Sequence, residues 1–225
     1  MDTLLQNISE WRARIDEASV KWGGCTICGV SKTVDAQTVN RAWEGGIRIL
    51  GENRVQEVLA KKPELDPRFE IHLIGQLQTN KVKQILPQVA MIQSLDREAL
   101  ALEISRRASA MGIEMPVLLQ VNIGREPQKS GVFEEELDAF ASACSALPGL
   151  RVKGLMTVMP ACEDPEEIRP LFRKMRTHFE RLRDAGMNME ILSMGMSSDA
   201  VVAAQEGSTM VRLGRAIFGE RPKKI

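Results

Sequence analysis

Eight short apolar runs alternate with longer segments of helical periodicity along this chain of 225 residues. Such alternation predicts β-strands joined by crossover helices, and therefore a parallel sheet. The predicted strands cover residues 25–31, 47–50, 70–74, 89–93, 116–122, 150–156, 190–194 and 209–213. Eight strand–helix units predict an α/β fold, a (β/α)8 TIM-type barrel, and an open doubly wound sheet is the alternative.

Helix signals fill the segments between the predicted strands. Apolar residues at helical spacing over 3–20 predict an extra N-terminal helix ahead of the barrel. Further helices are predicted over 36–44, 80–86 and 97–111. Another should begin at Asp164-Pro165-Glu166-Glu167, which joins a capping residue to a proline and acids in the first turn. The other predicted helices follow the capping residues Asp35, Thr79 and Asp96.

No linker or repeat divides the chain, so we expect one domain over residues 1–225. Lys plus Arg equals Asp plus Glu at 30 each, a balance that argues against nucleic acid or an anionic membrane as partner. The short basic run 221–224 is interpreted as a solvated tail. Residues 1–7 lack the basic and apolar parts of a signal peptide, and no apolar run approaches ~18 residues. A cytoplasmic location is expected.

Cys25 and Cys28 form a C-x-x-C pair, a spacing found in metal-binding and redox-active sites. Cys144 and Cys162 do not form a second pair, and the first pair lies in a predicted strand rather than at a helix start. We therefore predict buried, inert thiols and no metal site.

Lys32 closes the apolar first strand, at the end where barrels carry their chemistry. One interpretation is a lysine whose stem covers the core while its amine reaches water. The other is an amine whose charged form is disfavoured by apolar surroundings, and which is then a nucleophile toward aldehydes.

Glycine-rich segments follow the last two strands. Gly195 to Asp199, which includes Ser197, and Gly214 to Gly219 each open a predicted helix. Glycine permits close approach of a ligand to the backbone, and helix N-termini bind phosphate. Either segment could serve only as a turn, but two of them beside a strand-end lysine favour a phosphate site.

Polar residues also occupy strand interiors. Gln120 and Asn122 should share a face with Leu118, and Arg212 should share one with Met210. Arg212 is a candidate for a cation directed at a ligand ring, with a salt bridge or a phosphate contact as alternatives. Asn53 and His72 are candidates whose structural interpretation, such as a hydrogen-bonded core histidine, stays open.

Eight segments carry a recognisable pattern, in chain order and over nearly the whole length. They are Val30-Ser31-Lys32-Thr33, Gly51-Glu52-Asn53, His72-Leu73-Ile74-Gly75, Gln78-Thr79-Asn80-Lys81, Lys129-Ser130-Gly131, Gly154-Leu155-Met156, 193–199 and 208–219. As a set, these segments resemble the pyridoxal phosphate homeostasis protein family.

The resemblance implies a barrel like the N-terminal domain of alanine racemase, with pyridoxal 5′-phosphate (PLP) as a Schiff base on Lys32. It implies phosphate contacts from Ser197 and Gly214-Arg215, with Arg212 near the pyridine nitrogen. Further pocket positions match Asn53, His72 and Met156. The implied role is to buffer PLP and deliver it, with PLP-dependent apo-enzymes as recipients, and we expect a monomer.

Two positions depart from the family pattern. Arg215 stands where many relatives carry a smaller hydroxylated residue, so two alternatives are open for this contact, the backbone N–H alone or an added charge. Val34 stands where some relatives carry a second lysine, which argues against a transfer scheme with two lysines in this loop.

Two enzymatic alternatives remain open. A PLP-dependent racemase needs an acid/base group on each face of its substrate, and alanine racemases pair a lysine with a tyrosine. This chain has no tyrosine, and it is too short for the β-domain that completes their site. The second alternative, a PLP-free enzyme that uses Lys32 as a class I aldolase would, lacks an evident carboxylate or second lysine beside Lys32. We therefore expect no robust catalysis.

Overall fold

The strands close into a barrel in the computed structural model of the chain, which describes residues 2–219. Eight strands follow one another around the barrel, and each pairs in parallel with its neighbours, β1 closing on β8. Strands β1 to β8 are Thr26–Val30, Ile49–Glu52, Glu70–Leu73, Met91–Leu95, Met115–Val121, Leu150–Thr157, Ile191–Ser193 and Met210–Leu213. The predicted barrel is confirmed, and the open sheet is excluded by the β1–β8 pairing.

Helices cover the outside of the barrel. Within residues 2–219, helices α1 to α9 are Thr3–Ser19, Ala36–Arg41, Val55–Lys61, Val82–Ile85, Glu98–Ala110, Leu137–Ser145, Arg169–Asp184, Ala200–Gln205 and Arg215–Phe218. The cap at Asp35 is confirmed, because its Oδ1 accepts from Thr38 N at 2.8 Å. Asp164 likewise accepts from Glu166 N at 2.9 Å, and the 3₁₀ turn Pro165–Ile168 leads into α7. Asp96 instead holds the side chain of Arg97, which precedes α5.

Alternate strand residues point outward and inward. Outward residues such as Leu119, Val121 and Leu213 join the apolar layer between strands and helices. Inside the barrel, Leu118 packs with Met91 and Met156 in a small separate cluster. The remaining interior is filled largely by polar side chains, which is unusual for a buried core and directs attention to the site.

The N-terminal helix α1 packs against α8 and α9, the two helices that follow the last strands. Asn7 Nδ2 donates to Ile217 O at 3.1 Å, and just after α1 Trp22 Nε1 donates to Gln205 O at 2.9 Å. These bonds satisfy the carbonyls at the ends of α8 and α9 and hold both helices in place.

Two strands lie two residues further along the chain than predicted, and the bounds of the other six agree with the prediction to within one residue. Strand β2 is Ile49–Glu52 rather than 47–50, and β4 is Met91–Leu95 rather than 89–93. In both cases the strand continues past its apolar run, through residues whose polar side chains find buried partners. No helix in the described part of the chain has the length and apolarity needed to cross a membrane. The basic run 221–224 lies outside the described residues.

Candidate functional site

A cavity of about 360 Å³ opens where the strands end at their carboxyl side. It brings together six of the eight residues that the family resemblance assigns to the pocket. Its lining consists of Val30, Lys32, Asn53, Ile74, Val158, Met196, Ser197, Ser198, Arg212, Gly214 and Arg215. A larger groove of about 760 Å³ lies beside α5 and α6, but its lining combines apolar side chains with four acidic ones and Arg97 and holds none of these residues.

Lys32 reaches the cavity because it lies two residues after Val30, the last residue of β1, and alternate residues of a strand point to the same side. Val30 and Lys32 both line the cavity, while Ser31 between them is buried on the outer side of the strand. The next residue, Thr33, has φ 64°, a left-handed conformation that is an outlier for a β-branched residue. A turn bond from Val34 N to Ser31 O at 3.0 Å closes this loop. The lysine is therefore presented from a tight, strained turn of the kind that clusters at functional sites.

Asn53 lines the cavity just after β2, in close contact with the end of β3. A Cβ on Gly75 would lie 2.2 Å from Asn53 O, so only glycine allows the two backbones to approach this closely. Ile74, the residue before Gly75, also lines the cavity.

Arg212 projects from β8 into the barrel and is only 4% exposed. Its Nη1 donates to Ser193 O at 2.9 Å and to Ser193 Oγ at 2.7 Å, and its Nη2 donates to Thr157 O at 2.7 Å. Burial lowers the pKa of the guanidinium from its ordinary value, partly offset by the negative charge of Asp199. The salt-bridge alternative is not observed within residues 2–219, because no carboxylate pairs with this guanidinium; its partners are oxygens of two strand ends.

His72 and Met156 do not line the cavity but lie inside the barrel. Gln93 Nε2 lies 2.9 Å from His72 Nδ1, and Ser193 Oγ donates to Gln93 Oε1 at 2.7 Å. Through Ser193, this chain of hydrogen bonds reaches Arg212. The structure thus places His72 as a hydrogen-bonded interior residue connected to the cavity through Gln93.

The two segments after β7 and β8 form one wall of the cavity. Ser197 and Ser198 line it from the first, and Gly214 and Arg215 line it from the second. Asp199 Oδ1 accepts from Met196 N at 2.5 Å and shapes the first segment, and burial raises the pKa of the Asp199 carboxyl. Arg215 is exposed at the rim, whereas Arg212 is buried at the cavity floor.

Gln120 and Asn122 share the inward face of β5, as predicted, but hold a loop instead of lining the cavity. Gln120 Nε2 donates to Ser130 O at 2.9 Å, and Asn122 Nδ2 donates to Glu126 O at 2.8 Å. The cavity residues that the sequence reading did not single out include Ile74 and Val158. Ile74 lies two residues after His72, and Val158 lies two residues after Met156. Because alternate strand residues share a face, the strand pattern would have predicted both.

The cysteines are largely as predicted, with one correction. Cys28 is buried, but Cys25 precedes β1 and is partly exposed, because the strand begins one residue later than expected. Burial still raises the pKa of both thiols to about 12. Within residues 2–219, no group of three or more His, Cys, Asp or Glu side chains is arranged to hold a metal ion.

The donor set of the cavity fits a small phosphorylated aldehyde. A lysine amine stands on an apolar wall, two serine hydroxyls and a rim arginine face it from another wall, and a second arginine lies at the floor. A volume of about 360 Å³ falls in the range of sites for small ligands. Fold and site together define a barrel built to hold a compact anionic ligand against a lysine.

Comparisons with known proteins agree with this class. The family model described as "Alanine racemase, N-terminal domain" matches residues 1–222. The chain is 43% identical over 222 residues to the pyridoxal phosphate homeostasis protein of Aquifex aeolicus, covering 96% of this chain and 97% of that protein. Identity to the protein of the same name from Pseudomonas aeruginosa is 38% over 226 residues, covering 98% and 97%.

Among solved structures, PipY of Synechococcus elongatus PCC7942, determined with PLP bound, superposes with a TM-score of 0.86. It is 32% identical, and the match covers 96% of this chain and 100% of that one. The chain therefore belongs to the pyridoxal phosphate homeostasis protein family, and the resemblance seen in its motifs is confirmed.

Proposed function

We propose that this protein binds PLP in the barrel-end cavity, holds it as a Schiff base on Lys32, and buffers and delivers it. The observation that carries the proposal is the position of Lys32, which faces a cavity that also gathers two hydroxyls and two arginines. The PLP-bound structure of PipY, similar over its full length, supports the choice of ligand.

When bound, PLP supplies an aldehyde for the lysine amine, a phosphate and a pyridine nitrogen. Lys32 provides the nucleophile, and the apolar side chains of Val30 and Ile74 line the cavity beside it. Ser197 and Ser198 can donate to phosphate oxygens, and Arg215 can add charge from the rim. Asn53 completes the polar lining of the cavity. His72 and Met156 lie deeper, inside the barrel, and support the residues that line the cavity.

The guanidinium of Arg212 is a fixed cation at the cavity floor, and we assign it as the hydrogen-bond donor to the pyridine nitrogen. Three hydrogen bonds to strand ends fix the guanidinium within the barrel. An arginine does not readily give up a proton, so the nitrogen beside it stays unprotonated and the ring withdraws electrons weakly. The chain also has no tyrosine to serve as the second acid/base of a racemase. Both features favour holding PLP over turning it over.

The deciding experiment follows covalent capture of PLP. Protein purified and mixed with PLP should show a visible absorption band, and borohydride should fix the label on the peptide that contains Lys32. Lys32→Ala should lose the band and the label while retaining weak binding through the phosphate contacts. A wild-type protein that stays colourless with PLP, or a label on another lysine, would refute the assignment.

Buffering and catalysis are separated by a second pair of measurements. The PLP-loaded protein should restore activity to a PLP-dependent apo-enzyme, and it should racemise alanine negligibly. Robust racemisation that Lys32→Ala abolishes would establish the racemase alternative instead. We further propose that the protein is a cytoplasmic monomer. Light scattering of the protein as it elutes from a gel-filtration column measures its mass and so tests the oligomeric state.

A further inference from the structure

A buried ion pair lies behind the turn that presents Lys32. Glu52, at the end of β2, has a side chain only 1% exposed, and Lys61 at the end of α3 is 12% exposed. Lys61 Nζ donates to Glu52 Oε1 at 2.6 Å. Both side chains lie between the strands and the helices, in a layer that is otherwise largely apolar, outside the cavity.

Stability alone does not explain this pair. Two charges lose their hydration when they are buried, and apolar residues of similar size commonly serve a fold as well or better. Glu52 is also incompletely satisfied, because its Oε2 is buried without a hydrogen-bond partner among the described residues. Burial raises the pKa of the Glu52 carboxyl despite the opposing effects of Lys61 and Ser31. Because burying Glu52 and Lys61 costs free energy, we expect the pair to have a function in the neighbouring site.

The pair holds Ser31, the residue immediately before Lys32. Ser31 Oγ donates to Glu52 Oε1 at 2.7 Å, and Ser31 O accepts from Lys61 Nζ at 2.7 Å. The same carbonyl accepts from Val34 N, which closes the turn over Thr33. The side chain and the carbonyl of Ser31 are therefore both fixed, two residues before the left-handed Thr33.

We propose that Glu52 and Lys61 are positioning residues for Lys32: by clamping Ser31 on the outer side of β1, they direct the lysine amine into the cavity. The inference rests on the proposed capture of PLP by Lys32. It assigns the clamp to the covalent step and not to ligand binding, since neither side chain lines the cavity.

The test separates covalent capture from binding with two ligands. PLP carries the aldehyde, whereas pyridoxine 5′-phosphate carries an alcohol in its place and binds without a covalent bond. Lys61→Met should slow the appearance of the visible band with PLP by about 10-fold to 100-fold, because a misplacement of ~1 Å can cost that much in rate. Its affinity for pyridoxine 5′-phosphate, followed by tryptophan fluorescence, should stay at the wild-type value.

Lys62→Met is the matched control. Lys62 is the next residue along the chain, and its Nζ donates to Gln88 O at 2.9 Å, a carbonyl in the 3₁₀ turn Leu86–Gln88 before β4. This variant should capture PLP at the wild-type rate, and Lys61→Arg, which keeps a cation, should recover part of the rate that Lys61→Met loses. If Lys61→Met does not fold, the double variant Glu52→Gln/Lys61→Met removes both charges and is judged by the same criteria.

Two results would overturn the inference. One is capture of PLP by Lys61→Met, or by the double variant, at the wild-type rate. The other is a parallel loss of affinity for both ligands together with a lower melting temperature, which is the signature of a merely structural pair. A wild-type protein that gives no band with PLP would instead defeat the proposed function itself, so the two failures are distinguishable.

Discussion

At the scale of single residues, Arg212 connects the cavity to the barrel interior. It is buried, and its hydrogen-bond acceptors are the carbonyls of Ser193 and Thr157 and one hydroxyl, not a carboxylate. Hydrogen bonds connect Arg212 through Ser193 to Gln93, and Gln93 to His72. The cation is therefore fixed before any ligand arrives, which lowers the cost of ordering the site on binding.

Two arginines of the same cavity should respond differently to removal of their charge. Arg212→Met leaves buried acceptors without donors, each worth ~1–3 kcal/mol, so the free energy of unfolding without ligand should fall by at least about 2 kcal/mol. Arg215→Met removes an exposed side chain and should stay within ~0.5 kcal/mol of wild type. Urea unfolding of both variants measures this difference, and equal stabilities would contradict the buried position assigned to Arg212.

Ser197 should act on the phosphate alone. A hydrogen bond to a charged group contributes ~1.5–3 kcal/mol, so Ser197→Ala should weaken PLP binding about tenfold or more. Pyridoxal lacks the phosphate, so it should bind wild type and Ser197→Ala alike, and more weakly than PLP. Equilibrium titration of both ligands decides the matter, and equal wild-type affinity for pyridoxal and PLP would remove the phosphate contacts from the site.

At the scale of elements, the sequence predicts what local patterns encode and misses what tertiary partners decide. All eight strands were predicted, because apolar runs and alternation are local signals. The end of β2 was not, since the buried Glu52 is accommodated through Lys61 and Ser31, which lie on other elements, 9 and 21 residues away in sequence. For the same reason the link from His72 to Arg212 through Gln93 could not be predicted from any one strand.

Strand β6 contains a position that only glycine can occupy. Gly154 has φ 150°, and a Cβ there would lie 1.8 Å from Ile191 O on β7, next to a register shift between β5 and β6. Gly154→Ala should therefore prevent accumulation of folded protein. Gly112→Ala, with φ 66° and open space around the new Cβ, should cost only the ~1–2 kcal/mol of a left-handed alanine. Soluble yield and urea unfolding of the two variants test this, and similar behaviour would place the strain elsewhere.

At the scale of the whole molecule, we propose a single domain, because both ends of the described chain belong to one core. Strands β1 and β8 pair with each other, and α1 packs against α8 and α9. Such a domain should unfold in one transition, which permits stability to be read from its pH dependence. The pKa shifts of surface and interior acids have opposite signs. An exposed hydrogen bond from Arg68 lowers the pKa of Asp66 to about 2, whereas burial raises the pKa of Glu52.

The pH dependence of stability should therefore show opposite contributions from Glu52 and from a surface acid. The raised pKa means that the folded state retains a proton on Glu52 that the unfolded state has lost, so this contribution is present below the unfolded pKa, near 4.5, and is lost as pH rises through the folded value. Glu190, whose pKa is lowered by Lys153, contributes stability that is present at neutral pH and lost as pH falls. Urea unfolding without ligand should show wild type losing stability relative to Glu52→Gln as pH rises from about 4.5 to about 7.5. Relative to Glu190→Gln, wild type should instead lose stability as pH falls from about 5 to about 3. A difference from Glu52→Gln that instead grows in favour of wild type would mean that pairing with Lys61 outweighs burial and lowers the pKa of the Glu52 carboxyl.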